Sequence, residues 1–189
     1  MNNPAVNQLL AKIEELEYRI VDLEEENREL QTANRELAWN AGYGCFTRQG
    51  FEKNVWPKIE QQARWIIFFD IDDMHGLNKK HGYDGMNAII KKTLARRGGD
   101  YMAGQWFSGD EFIVVITDSD PDREESDPVK FSSRLGQLFK ENGAPATFAI
   151  APVLSSDLIT NVAPAHKLCQ ESKAHLQHGI ISTVPGDPR

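Results

Sequence analysis

The stretch W-I-I-F-F-D-I-D-D, residues 65–73, runs five apolar residues straight into a cluster of acids. Residues 65–69 are aromatic or β-branched with no polar interruption, the composition of a strand covered on both faces. A carboxylate is costly inside such a strand unless something neutralises it. Asp70, Asp72 and Asp73 therefore mark the strand's end and an acidic turn. The same pattern recurs downstream, where F-S-G-D-E-F (107–112) leads into the apolar run F-I-V-V-I-T that begins at Phe112. If the two strands are neighbours, Asp70 and Asp110 converge above one sheet.

Working outward from these strands, the pattern predicts a single α/β domain. An amphipathic helix is expected over 51–64, carrying Phe51, Val55, Trp56 and Ile59 on one face. A second helix is expected over 84–94, with Met86, Ile89, Ile90 and Leu94 inward. The acid- and proline-rich stretch 117–128 reads as a solvated loop. A helix over 128–142, a strand over 146–152, a helix over 163–178 and a short strand over 180–184 complete the order. Elements alternate without long linkers, and no internal repeat is present.

The first forty residues follow a different rule. Leu9, Leu16, Leu23, Leu30 and Leu37 recur every seven residues, as do Val6, Ile13, Ile20, Asn27 and Asn34. Assigned to d and a, these series give leucine at d and β-branched residues or asparagine at a, the preference of a parallel two-stranded coiled coil. Lys12 and Arg19 at g would face Glu17 and Glu24 at the partner's e positions. The expected organisation is a parallel dimeric coiled coil over 1–39, a globular domain over 40–184 and a tail over 185–189.

Of the 189 residues, 28 are acidic and 21 are Lys or Arg, a formal net charge of −7. That balance argues against nucleic acid as a partner and against an anionic membrane surface. It leaves nucleotides open, because a metal ion neutralises phosphates locally. No apolar run reaches transmembrane length, no signal-peptide pattern opens the chain, and two cysteines make no disulfide framework, so a cytoplasmic setting is expected. Hard carboxylate oxygens suit Mg2+ or Mn2+, and two such ions could bridge a triphosphate and an attacking hydroxyl. Backbone amides from Ile71 to Gly76 are placed where phosphate oxygens could dock. The bland alternative, two solvated acidic turns, is open on composition alone. The five histidines form no ligand motif.

F-F-D-I-D-D-M-H-G-L-N-K-K-H-G-Y-D-G-M-N-A-I-I (68–90), followed by F-S-G-D-E-F and preceded by G-C-F-T-R-Q-G-F (44–51), resembles the GGDEF nucleotidyl cyclase family. The resemblance spans about residues 40–184. It implies an α/β (α+β) palm-like fold, a central, mostly antiparallel sheet of four or five strands flanked by helices, here preceded by the coiled-coil helix. It also implies metal-dependent fusion of two nucleoside triphosphates into a cyclic dinucleotide, by default two GTP into cyclic di-GMP. A homodimer would bring two such sites face to face, and an upstream sensor protein would supply the input.

Carried over position by position, the resemblance makes Asp70, the Ile71 backbone carbonyl and Asp110 the ligands of Mg2+ or Mn2+. Glu111 stands beside the metal and the reactive ribose, and Asp72 matches a frequent second acid. Gly109 allows close approach of the nucleotide, and Ser108 replaces the signature's first glycine. Lys173 matches a phosphate-binding lysine, and Asn78 a base-contacting asparagine. Several positions depart. Asn87 stands where an aspartate normally recognises guanine, and a carboxamide both donates and accepts, so ATP joins GTP as a candidate substrate. His75 replaces a phosphate-loop lysine, Trp106 an arginine, and Gln177 a cation. These losses carry the alternative reading: a catalytically weak or inactive nucleotide-binding dimeric scaffold. Arg97 and Asp100 resemble an R-x-x-D inhibitory motif at the wrong spacing, and a polar turn is the expectation there.

Overall fold

The computed structural model describes residues 4–95, 102–118, 127–175 and 178–186. Contacts divide the chain into two units, Met1–Leu37 and Ala38–Arg189. The described residues of the first all lie in one helix, α1 (Pro4–Ala38), whose last residue belongs to the second unit. Its seam residues Leu9, Ile13, Leu16, Ile20, Leu23 and Leu30 are each at least 50% exposed. Lys12 pairs within the helix with Glu15, and Arg28 with Glu25. No described helix is long and apolar enough to cross a membrane.

The second unit runs β1 (Trp39–Asn40), β2 (Cys45–Phe46), a short α2 (Arg48–Gly50), a π-turn over Phe51–Val55 and α3 (Trp56–Ile59). Then come β3 (Ala63–Ile71), α4 (Met74–Ala95), β4 (Met102–Gln105), β5 (Glu111–Thr117), α5 (Pro128–Glu141), β6 (Ala146–Pro152), α6 (Leu158–Ala174) and β7 (Ile181–Thr183). Among the described residues, seven strands form one sheet in the order β1-β2-β4-β5-β3-β6-β7. Its centre is antiparallel, and the parallel pairs are β2 with β4 and β6 with β7. The mostly antiparallel architecture agrees with expectation; the strand count exceeds the four or five expected.

β3 is central because both its edges are paired, with β5 and with β6. One face of the sheet, with Ile67, Phe69, Phe112, Val114 and Phe148, packs on Met86, Ile90 and Leu94 of α4 and on Phe131, Leu135 and Phe139 of α5. The opposite face, with Ile66, Phe68, Ile113, Val115 and Ala149, packs on Val162, Ala165 and Cys169 of α6 and on the 51–59 segment. Two covered faces explain the uninterrupted apolar runs of these strands.

Several boundaries differ from expectation, among them the end of α6, which stops at Ala174 and not at 178. The predicted 51–64 helix is broken into the π-turn and α3, and Ala63 and Arg64 already belong to β3. The helix expected over 84–94 starts at Met74 and is interrupted at Gly82 (φ 72°, ψ 163°), a conformation that favours glycine. α6 begins at Leu158, five residues before the expected start, because the Asp157 carboxylate accepts from Thr160 N and caps the helix. Residues 119–126 of the expected acidic loop, and Arg97 and Asp100, lie outside the described residues.

Gly50 is helical, yet a Cβ there would lie 2.1 Å from the Ala38 carbonyl oxygen. The neighbour is backbone and cannot rotate away. Gly50→Ala is therefore expected to destabilise the globular unit by about 1–3 kcal/mol, read as a lowered denaturation midpoint in urea at unchanged slope; an unshifted midpoint would contradict this packing.

Candidate functional site

Alternation along β3 puts Asp70 on the same face as Ile66 and Phe68, the face covered by α6. Its register partners are Glu111 on β5 and Thr147 on β6. Alternation gives those two residues the same face, so three polar side chains meet beneath α6. The ladder continues past the apolar run, placing Asp70 within the strand.

Lys173, near the C-terminus of α6, reaches this cluster. Its Nζ donates to Asp70 Oδ1 at 2.6 Å and to the Ile71 carbonyl oxygen at 3.4 Å, and lies 3.6 Å from Asp72 Oδ1. The Lys173 side chain is 21% exposed and that of Asp70 13%. Burial pushes Asp70 up to about 6; Lys173 opposes the rise, while Asp110 and Glu111 add to it. Burial works to lower Lys173, but the hydrogen bond and charge of Asp70 prevail and raise it. The pair is asymmetric because Asp70 is the more buried partner and also faces other carboxylates.

Asp72 is buried and fully engaged. It accepts from Thr147 Oγ1 at 2.8 Å and from Gly179 N at 3.1 Å, and His178 Nδ1 lies 3.3 Å away. Glu111, also buried, has Oε1 at 3.4 Å from His166 Nε2, while Oε2 has no hydrogen-bond partner. His166 additionally meets Gln170 at 2.7 Å and rests against the rings of Phe68 and Phe107. The histidines that form no ligand motif in sequence thus supply two partners of buried carboxylates. They are reached only through the tertiary fold.

The signature turn is closed by local bonds. Trp106 N donates to Glu111 O, and Ser108 Oγ donates to Asp110 Oδ1 at 2.5 Å. Ser108 and Gly109 are exposed, and a Cβ on Gly109 would lie 3.1 Å from Tyr43 Oη. Trp106 is buried, and the Arg48 guanidinium stacks 4.6 Å from its ring and 3.9 Å from that of Phe107. A cation from α2 therefore lies beside the position where the resemblance implied an arginine.

Three of the expected phosphate-docking amides are already used. Ile71 N donates to Asp110 O, Asp72 N to Pro145 O, and Gly76 N to Asp73 Oδ1. The turn caps α4 through Asp73, whose side chain and backbone accept from Gly76 N and Leu77 N. His75 is exposed on the first turn of α4. Asn78 carries a buried Oδ1 without a partner. Asn87, beyond the break at Gly82, brings its Nδ2 to 3.5 Å from where a Cβ on Gly42 would sit, and Lys91 one turn later donates to Ala41 O. Gln177 lies outside the described residues.

The donors that the resemblance assigned to Mg2+ or Mn2+ do not form an open set in this arrangement. Asp70 and the Ile71 carbonyl hold an ammonium, and Asp110 holds the Ser108 hydroxyl. Among the described residues, no three His, Cys, Asp or Glu side chains gather as a metal-binding group.

No protein-family model and no curated protein matches the sequence. Solved structures do match. The coiled coil and GGDEF domain of DgcB from Caulobacter crescentus, in complex with c-di-GMP, aligns with TM-score 0.64 at 15% identity, over 89% of this chain and 99% of that one. A microbial GGDEF domain in a structure describing its interaction with cyclic di-GMP aligns with TM-score 0.63 at 14% identity, over 80% and 99%. The FimX GGDEF domain from Pseudomonas aeruginosa gives TM-score 0.59 at 14% identity, over 78% and 99%. The chain has the GGDEF-domain fold. At these identities the likeness is one of fold.

Asp70 supplies a pH test. With its folded value raised above the ordinary 3.8 to about 6, the native state holds more protons than the unfolded chain between those values. Stability from this group therefore falls as pH rises through that window and is recovered on acidification. Carboxyl-carbon NMR should show one aspartate titrating near pH 6 that vanishes in Asp70→Asn; a spectrum in which every aspartate titrates below 4.5 would refute the assignment.

Proposed function

We propose that this chain is a dimeric GGDEF-type domain that binds a nucleoside triphosphate or cyclic dinucleotide for signalling, with weak or no turnover. The observation that carries the reading is the occupied acid set: Lys173 on Asp70 and Ile71, and Ser108 on Asp110. Two-ion catalysis requires these oxygens for metal, and three of the loop amides that could hold phosphate, those of Ile71, Asp72 and Gly76, are spent on the protein itself. Binding draws support from elsewhere. The buried Oδ1 of Asn78 lacks a hydrogen-bond partner within the fold, and the Asn87 carboxamide lies beside the 40–44 turn.

The active-cyclase reading is favoured by one specific feature. Asp70, Asp110 and Glu111 are all present, and the buried Oε2 of Glu111 is unpartnered across the ladder from Asp70. Incubation with GTP, ATP and their mixture, with Mg2+ and separately with Mn2+, followed by mass analysis, separates the two. Nucleotide binding with little or no cyclic dinucleotide is expected. Product at ordinary enzyme rates, abolished in Asp110→Ala, would establish the cyclase instead.

Base choice follows from Asn87. A carboxylate accepts both guanine N–H groups, whereas a carboxamide offers one acceptor and one donor, so GTP and ATP should bind comparably. Asn87→Asp should shift the ratio toward GTP by about tenfold, the scale of one mismatched buried polar contact. A strong GTP preference unaltered by the substitution would remove Asn87 from base recognition.

Dimerisation would run through the exposed seam of α1, a second copy covering Leu9, Ile13, Leu16, Ile20, Leu23 and Leu30, with Asn27 setting the register. Input from an upstream sensor protein would then arrive along the helices. Light scattering over micromolar dilution should show a dimer, and removal of residues 1–36 should give a folded monomer. Ala38 must be kept, since its carbonyl accepts from Thr47 N within the globular unit. A full-length monomer throughout that range would overturn the dimer.

A further inference from the structure

The ammonium of Lys173 has the surroundings of a bound cation. Three oxygens from one strand end face it: Asp70 Oδ1 at 2.6 Å, the Ile71 carbonyl at 3.4 Å and Asp72 Oδ1 at 3.6 Å. Two of these, Asp70 and the Ile71 carbonyl, are the oxygens that the resemblance assigned to the divalent ion. α6 holds the lysine there. Val162, Ala165, Cys169 and Ser172 form its buried stripe, and Lys173 follows at the end of that stripe, one turn beyond Cys169.

We infer that Lys173 is a built-in replacement for the divalent ion, so that its seated ammonium and a metal ion compete for the same oxygens. This deepens the weak-turnover reading and rests on it. A divalent ion of this class binds carboxylate oxygen at about 2.1 Å. An ion that close to both Asp70 Oδ1 and the Ile71 oxygen would lie against the ammonium, which contacts the same two atoms. The charges repel, and the site is too enclosed for water to screen them fully. The lysine must leave before the metal enters. Leaving strips the half-enclosed Asp70 of its ammonium and Asp72 of a nearby one, and the buried-charge penalty keeps the ammonium in place. On the same logic the Ser108 hydroxyl on Asp110 removes the third assigned ligand from the set.

Removal of the lysine should therefore create a metal site. The test uses the full chain and Mn2+ alone, with bound ion counted by electron paramagnetic resonance and folding checked by far-UV circular dichroism. Lys173→Met, of similar length and uncharged, should bind Mn2+ at least tenfold more tightly than the unaltered chain. Lys173→Arg, which restores the charge, should remain as metal-poor as the unaltered chain. Lys173→Met combined with Asp70→Asn should lose the gained affinity. Equal Mn2+ affinity in the unaltered chain and in Lys173→Met would overturn the inference, as would a gain that survives Asp70→Asn.

A second measurement needs no substitution. With 15Nζ-labelled lysine, low Mn2+ should leave the Lys173 side-chain signal unbroadened, and selective broadening of that signal at low Mn2+ would show an ion beside a seated lysine and overturn the competition. The outcome is separable from that of the function assay. Cyclic dinucleotide made by the unaltered chain would overturn weak turnover, whereas the Mn2+ affinities decide the competition on their own.

Discussion

β3 is buried on both faces and paired on both edges, and its ladder does not stop where its apolar residues do. The register carries on through Asp70 and Ile71. That continuity forces a carboxylate into the face beneath α6, with Glu111 and Thr147 on either side. An uncompensated charge there would be strongly destabilising, and Lys173 supplies the compensation. The position of α6 is thus set by two demands that agree: its apolar stripe covers Ile66, Phe68 and Ala149, and the lysine at its end neutralises the strand's acid.

The polar side chains around this pair are organised by the same constraint. Asp72 is satisfied by Thr147, Gly179 and His178, which ties the segment after α6 back to the end of β3. Glu111 is half satisfied by His166, two turns of α6 before Lys173, and retains one orphaned oxygen. α6 therefore meets the acidic end of the sheet at two places. Among the described residues, Glu111 Oε2 and Asn78 Oδ1 are the buried side-chain oxygens without a hydrogen-bond partner, and unpaired buried acceptors of that kind are uncommon.

Much of the acidic turn's chemistry is consumed internally. The Asp73 side chain and backbone cap the start of α4, and the amides of Ile71 and Asp72 are bonded to neighbouring segments. Ser108 performs the same closure on the signature turn by donating to Asp110. Each bond is ordinary by itself; together they leave the acidic centre with protein partners where a two-ion enzyme needs open oxygens.

The amino-acid sequence by itself determined the two-unit pattern of a heptad helix and an α/β domain, the two central strands, and β6 to the residue. Strong periodicity and uninterrupted β-branched runs encode those locally. It also marked Asp70, Asp72, Asp110 and Glu111, because a carboxylate abutting a buried strand is conspicuous in one dimension; Lys173 came only through the family resemblance. It did not reveal β4, whose M-A-G-Q has little strand character of its own and is drawn into the sheet by pairing with β5. Nor did it reveal the true span of the 51–59 segment, where packing on the sheet overrode helical periodicity. Only the tertiary structure decided what the acids meet. Lys173 and Asp70 are 103 positions apart, and His178 and Asp72 are 106 apart. Which oxygen receives which cation depends on the register of β3 with its neighbours and on the seating of α6 above it. Those are long-range packing relations, and no local pattern records them.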